Sequence, residues 1–127
     1  MAYAFVVLAE VENPHGLVDV EVVERAVGAW HALGLRNLSS SSADFHINTG
    51  SGDLYAEIDL EEEVLSGYFQ NVGKGAIGHG SHPNTVISWT ASGESPDLSA
   101  MREITKALLG EADFVVWDEI GGARSEW

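Results

Sequence analysis

The residues with the widest range of possible chemistry lie in the glycine-rich stretch GKGAIGHGSHP, residues 73–83. Gly73, Gly75 and Gly78 match the G-x-G-x-x-G pattern of dinucleotide-binding loops. That pattern binds a pyrophosphate only where it joins a strand to the N-terminus of a helix. Here a proline and a strand-like segment follow it, and Lys74 is its single basic residue. We therefore interpret the stretch as a mobile connection and not as a phosphate-binding loop.

The same stretch contains two candidate metal ligands, His79 and His82. Two imidazoles can share a divalent cation such as zinc, nickel or iron when a third ligand completes the site. His46, Asp44 and Glu57 are the candidates for that third position. A metal site is the alternative to an incidental histidine pair in a flexible loop, and no other cofactor is predicted.

Catalytic groups are harder to identify. His46 is expected beside Tyr55 and Glu57, where a neighbouring carboxylate would favour its protonated form and allow general-base catalysis. No activated nucleophile or oxyanion-binding group accompanies it, so a solvated histidine among acids is the favoured interpretation. Cysteine is absent, which excludes disulfides, thiol catalysis and cysteine-bound zinc. The sequence thus favours a protein that is not an enzyme.

A long acidic stretch is the most distinctive feature of the chain. No basic residue occurs between Arg36 and Lys74, whereas seven carboxylates do. Alternation along a strand places several of them on one surface together with an aromatic ring, which suits a basic protein partner. The predicted partner-binding residues are Asp44, His46, Tyr55, Glu57, Asp59, Glu61, Glu62, Glu63, Tyr68 and Phe69.

The net charge supports the same interpretation. The chain has 20 acidic and six basic side chains, which gives a formal net charge of −14. Such a field repels nucleic-acid phosphates and anionic lipids, and it attracts basic proteins or metal cations. The N-terminal apolar run, residues 2–9, is too short to span a bilayer. We therefore expect a cytoplasmic protein that binds neither nucleic acid nor membrane directly.

Hydrophobic spacing predicts the elements of the first half. Residues 3–11 are almost continuously apolar, as in a strand covered on both faces. A helix of about four turns is expected from the N-cap Asp19 to Gly34, with Val23, Val27, Trp30 and Leu33 on its buried side. The serine run at positions 39–42 is expected to be a loop.

Two alternating segments, residues 44–48 and 53–60, predict a hairpin. Burying the apolar residues of both segments on one side fixes the register, so that Asn48 faces Asp53 around a four-residue loop. The buried side is then Phe45, Ile47, Leu54, Ala56, Ile58 and Leu60. The other side places Asp44 opposite Glu57 and His46 opposite Tyr55.

The second half repeats the alternation of strand and helix. Residues 61–72 form either a short helix or an irregular segment. A strand at 84–90 precedes a helix that Ser95 caps and Gly110 ends. A strand at 113–120 leads to a loose tail at 121–127.

These elements predict one α+β domain over residues 1–127. The expected architecture is a two-layer, ferredoxin-like sandwich of order βαββ-(long loop)-βαβ, with about five strands and two helices packed on one face of the sheet.

Three functions are compatible with this sequence. The favoured one is a non-catalytic acidic domain that neutralises a basic protein, as immunity proteins, antitoxins and inhibitors do. The first alternative is a small enzyme or a ligand- or metal-binding domain that uses the His79 and His82 loop. The second is a subunit of a larger assembly, which the apolar strands and the tryptophans Trp89, Trp117 and Trp127 suggest.

Overall fold

The computed structural model describes residues 2–28, 32–50, 52–72, 83–94 and 96–127, in which the chain forms seven strands and three α-helices. In chain order the elements are β1 (Ala2–Glu10), a 3-10 turn (Pro14–Val18), α1 (Val20–Val27), β2 (Ala32–Ser39), β3 (Ser42–Asn48), β4 (Gly52–Asp59), α2 (Glu62–Val72), β5 (Thr85–Gly93), α3 (Leu98–Leu109), β6 (Asp113–Asp118) and β7 (Ala123–Ser125). None of the described helices has the length and apolar content needed to cross a bilayer.

All seven strands belong to one antiparallel sheet with the order β2-β3-β4-β5-β1-β6-β7. Strand β1 is interior to this sheet, and apolar residues cover both of its faces, which explains its nearly unbroken apolar sequence. The α+β class is therefore confirmed. The ferredoxin-like arrangement with about five strands is not confirmed, because the sheet has seven strands.

Helix α1 is shorter than the sequence predicted. Its N-cap is Asp19, as expected, and Val23 and Val27 are buried. It ends at Gly28, whose φ of +48° lies in the left-handed region that glycine adopts without strain and whose N–H bonds the carbonyl of Glu24. The predicted continuation to Gly34 is wrong, because residues 32–39 form strand β2. Trp30 lies outside the described residues.

The serine run joins two strands and is only partly a loop. Ser39 ends β2 and Ser42 begins β3, so the turn consists of residues 40–41. The Oγ atoms of Ser39 and Ser42 lie 3.0 Å apart, and the N–H of Ser41 donates to Ser39 Oγ at 3.1 Å. Serine side chains thus bridge the ends of this tight turn, as they often do in place of backbone bonds.

The predicted hairpin is confirmed as strands β3 and β4. Asn48 pairs with Asp53, Asp44 with Glu57, and His46 with Tyr55. The expected apolar side of the hairpin is buried, and Leu60, just beyond β4, is half-buried. Strand alternation and loop length therefore fixed this register correctly.

Helices cover both faces of the sheet. Helices α1 and α3 contact each other and bury Val27, Met101 and Ile104 in the main core, as predicted for one face. The segment 61–72, expected to be either a short helix or irregular, forms helix α2. Its Val64 and Leu65 pack on the opposite face. Its partners there are Val6, Leu8 and Val86. The two predicted helices, α1 and α3, thus lie on one face as expected, and the third helix, α2, covers the other.

The ends of the last elements differ from their predictions in two places. Asp97 caps α3 by accepting the N–H of Ala100 at 3.2 Å, and the predicted cap, Ser95, lies outside the described residues. Gly110 ends α3 as expected. The predicted loose tail instead forms β7 against β6, and the Trp127 ring packs edge-on against Phe5 with centroids 5.4 Å apart.

Candidate functional site

The polar side of the β3–β4 hairpin carries most of the predicted binding residues. We call this surface the acidic hairpin face, and it consists of Asp44, His46, Asp53, Tyr55, Glu57 and Asp59. Because side chains alternate along a strand, these residues point away from the main core that their neighbours fill. The hairpin thus collects four carboxylates, one imidazole and one phenol on one side of the sheet.

Tyr55 is fixed on this face by a buried carboxylate. Its hydroxyl donates to Asp44 Oδ2 at 2.7 Å. Asp44 is only 3% exposed, whereas Tyr55 is 39% exposed. A hydrogen bond of this length to a buried acceptor restricts the orientation of the ring. The aromatic surface is therefore ordered before any partner binds, which reduces the entropy lost on binding.

His46 lies opposite Tyr55, as predicted, and its side chain contacts Asp53. Its Nε2 atom is 3.1 Å from Asp53 Oδ1, and Asn48 Nδ2 donates to that same oxygen at 2.8 Å. The side chains of His46 and Asp53 are 41% and 48% exposed, so water screens their attraction strongly. This pair orders the surface more than it stabilises the fold.

Asp59 is a strongly perturbed group of the acidic hairpin face. Its side chain is buried, and this burial, together with the negative charges of Glu57 and Glu61 and a hydrogen bond with Glu57, raises the pKa of Asp59 to about 6. Desolvation and like charges both disfavour the ionised carboxyl. Near neutral pH the protein therefore holds together negative charges that repel one another.

The remaining predicted residues surround this cluster. Glu61 accepts a hydrogen bond from Ser41 Oγ at 3.1 Å. Glu62 and Glu63 are exposed in the first turn of α2, where the helix dipole favours negative charge. Tyr68 and Phe69 belong to α2, but their side chains lie outside the described part of the chain.

Burial divides the predicted binding residues into two groups. Asp44 and Asp59 are almost inaccessible, so they influence this surface through their charge and through the neighbours that they hold. The accessible groups are His46, Tyr55 and Glu57, with the exposed acids that follow β4. Asp53 joins them, and the sequence analysis did not include it among the binding residues. Its pairing with Asn48 was the signal that would have placed it there.

The candidate metal ligands His79 and His82 lie outside the described residues, as do Gly73, Gly75 and Gly78 of the glycine pattern. Within the part of the chain that the structure describes, no group of three or more histidine and acidic side chains is arranged to hold a metal ion.

Comparison with known proteins finds no matching family model, no similar curated protein and no similar solved structure.

Proposed function

We propose that this chain is a non-catalytic acidic domain that binds a basic protein and neutralises it, in the manner of an immunity protein, an antitoxin or an inhibitor. The contact is made by the acidic hairpin face and the glutamates that follow it. The observation that carries the proposal is the crowding of carboxylates around Asp59, whose pKa is raised to about 6.

Crowded carboxylates favour a cationic partner for an energetic reason. In the free protein, Glu57 and Glu61 repel the ionised form of Asp59. A lysine or arginine brought to this surface replaces that repulsion with attraction, so part of the energy stored in the free protein is released on binding. The net charge of −14 adds long-range attraction, which accelerates the encounter with a basic protein.

Tyr55 adds an aromatic anchor to this charged surface. Tyrosine is one of the residues that most often dominates binding energy at interfaces, because its ring buries a large area and loses little rotamer freedom. Here the ring is exposed, and the hydroxyl is bound to Asp44. An aromatic ring surrounded by carboxylates matches a partner in which apolar groups and cations alternate.

Affinity capture with matched variants tests the proposal. The tagged wild-type protein, a Glu57→Lys/Glu61→Lys variant and a Glu94→Lys/Glu119→Lys variant are each used to capture proteins from a lysate of the native host. Both variants change the net charge equally, but Glu94 and Glu119 are exposed at the opposite end of the sheet from Glu61. We expect the wild type and the second variant to retain the same basic protein, and the first to bind it at least about tenfold more weakly.

The retained protein must also lose its own activity when the wild-type domain is added, since neutralisation is part of the proposal. Circular dichroism of all three proteins checks that the fold is preserved. Retention by the Glu57→Lys/Glu61→Lys variant at unchanged affinity would contradict the proposed surface. A partner whose activity is unaffected would contradict the proposed inhibition.

A further inference from the structure

A second acidic feature lies away from the hairpin, at the end of the sheet where β1 ends and β6 begins. There the described residues enclose an open groove of about 800 Å³ between the 3-10 turn, the last turn of α3 and the start of β6. Its floor is apolar and consists of Val11, Leu17, Val22, Leu108, Leu109 and Ala112. Its rim carries Glu10, Glu12, Glu111 and Asp113, all of them exposed.

The charged side chains among the described residues of this groove are all negative. The described residues that line it include four carboxylates and no lysine, arginine or histidine. The C-terminal turn of α3 also forms one wall, and the carbonyl groups at that end of a helix carry partial negative charge. Among the described residues, the nearest basic side chains along the chain, His15 and Lys106, are exposed and do not line the groove. An anionic or purely apolar ligand is therefore disfavoured.

The floor of the groove is held in place by Asn84, at the start of β5. The N–H of Val11 donates to Asn84 Oδ1 at 2.9 Å, and Asn84 Nδ2 donates to the carbonyl of Val11 at 2.7 Å. A third bond, from the N–H of Asn84 to the carbonyl of Ala9 at 2.9 Å, continues the pairing of β1 and β5. The concave shape is thus built into the sheet and does not depend on a ligand.

The groove lies at the same end of the sheet as the most acidic part of the hairpin. Asp59 pairs with Val86, Val86 with Leu8, and Leu8 with Val115. Three acidic residues lie just beyond this row. They are Glu61, which follows β4, and the groove residues Glu10 on β1 and Asp113 on β6. Both features therefore belong to one acidic end of the molecule.

We propose that this groove receives an arginine or lysine side chain from a segment of the same basic partner. Long basic side chains combine an apolar stem with a charged head. The apolar floor accommodates the stem, and the carboxylates of Glu12, Glu111 and Asp113 receive the head. This inference rests on the proposed function, and it adds a second contact that the acidic hairpin face does not supply.

The test uses a hexa-arginine peptide as the probe and isotope-labelled protein, with the backbone amide resonances followed by NMR during titration. We expect the resonances of Val11, Leu17 and Leu108 to shift in a saturable way. In a Glu12→Lys/Asp113→Lys variant, the affinity measured at these groove resonances should fall roughly tenfold or more. The Glu94→Lys/Glu119→Lys variant has the same net charge and should keep the affinity of the wild type within about twofold.

The hairpin resonances, those of Tyr55 and Glu57, separate this inference from the proposed function. Shifts at the groove support the inference, whether or not the hairpin responds. Shifts at the hairpin alone overturn the inference and leave the proposed function standing. Small shifts over the whole surface, or equal weakening by both double variants, mean that the peptide responds only to net charge, and this also overturns the inference.

Discussion

The two buried carboxylates of the acidic hairpin face have different neighbours, although they lie on the same side of one hairpin. Asp44 accepts a hydrogen bond from the hydroxyl of Tyr55 at 2.7 Å. Asp59 instead has Glu57 and Glu61 as neighbours, and its pKa is raised to about 6. The donors and charges around each group therefore decide whether its burial is tolerated, and alternation along the strand does not reveal them.

Asp59 makes the stability of the protein depend on pH. The pKa of this carboxyl is 3.8 in an unperturbed chain and about 6 in the folded protein. The folded state thus binds the proton more tightly, so the contribution to stability is fully present below pH 3.8 and is lost as the pH rises through 6. We expect Asp59→Asn to remove this loss, so that the variant gains up to about 3 kcal/mol over the wild type near neutral pH.

Urea unfolding of the wild type and Asp59→Asn at about pH 4.5 and about pH 7.5 measures this effect. The free energy of unfolding of the variant relative to that of the wild type should be higher at the upper pH. The control is Glu94→Gln, which removes one exposed charge far from the cluster. An equal difference between wild type and Asp59→Asn at both pH values would show that Asp59 is not the titrating group.

Among the helices, α1 and α3 show why one boundary was predictable and another was not. Gly110 ends α3 with a φ of +59°, and the apolar spacing stops at the same point. In α1 the apolar spacing continues past Gly28 as far as Leu33, so the pattern alone favoured a longer helix. Residues 32–39 form β2 because the β3 edge of the sheet offers them backbone partners. That is a tertiary interaction overriding a local preference.

Helix α3 is attached to the sheet by a buried polar contact as well as by apolar packing. Trp89 Nε1 on β5 donates to Thr105 Oγ1 at 2.9 Å, and both residues are almost completely buried. Thr105→Val keeps the volume but removes the acceptor and leaves the indole N–H buried without this bond. We expect a loss of about 1–3 kcal/mol in the free energy of unfolding.

Thr105→Ser is the matched control, because it keeps the hydroxyl and removes only a methyl group. Urea unfolding should show that Thr105→Ser is the less destabilised of the two, by about 1 kcal/mol or more. If Thr105→Val were as stable as Thr105→Ser, the methyl contact would matter more than the hydrogen bond in holding α3 on the sheet.

The whole molecule carries a formal net charge of −14, and two of its acidic features meet at one end of the sheet. The acidic hairpin face ends there with Asp59, and the groove begins there with Glu10 and Asp113. Close like charges destabilise the folded state through repulsion, and dissolved ions weaken that repulsion. The same distribution that suits a basic partner thus acts against the free fold.

We expect sodium chloride to stabilise the free protein. Raising its concentration from about 0.02 M to about 0.5 M should increase the free energy of unfolding by roughly 1–2 kcal/mol at neutral pH. Glu57→Lys/Glu61→Lys removes part of the crowded charge and should gain less. Urea unfolding at the two salt concentrations measures both proteins. An equal gain for both would mean that salt acts through general surface effects and not through this cluster.

Features that depend on local spacing can be predicted from the order of the residues alone. The register of β3 and β4 followed from strand alternation and a four-residue loop, and the seven carboxylates of the acidic stretch follow from the sequence order alone. Three features require the three-dimensional fold: the strand order, the burial of Asp44 and Asp59, and the grouping of Glu12 with Asp113 around one groove. These features join residues far apart in the chain, and long-range strand pairing, which no local pattern encodes, brings them together.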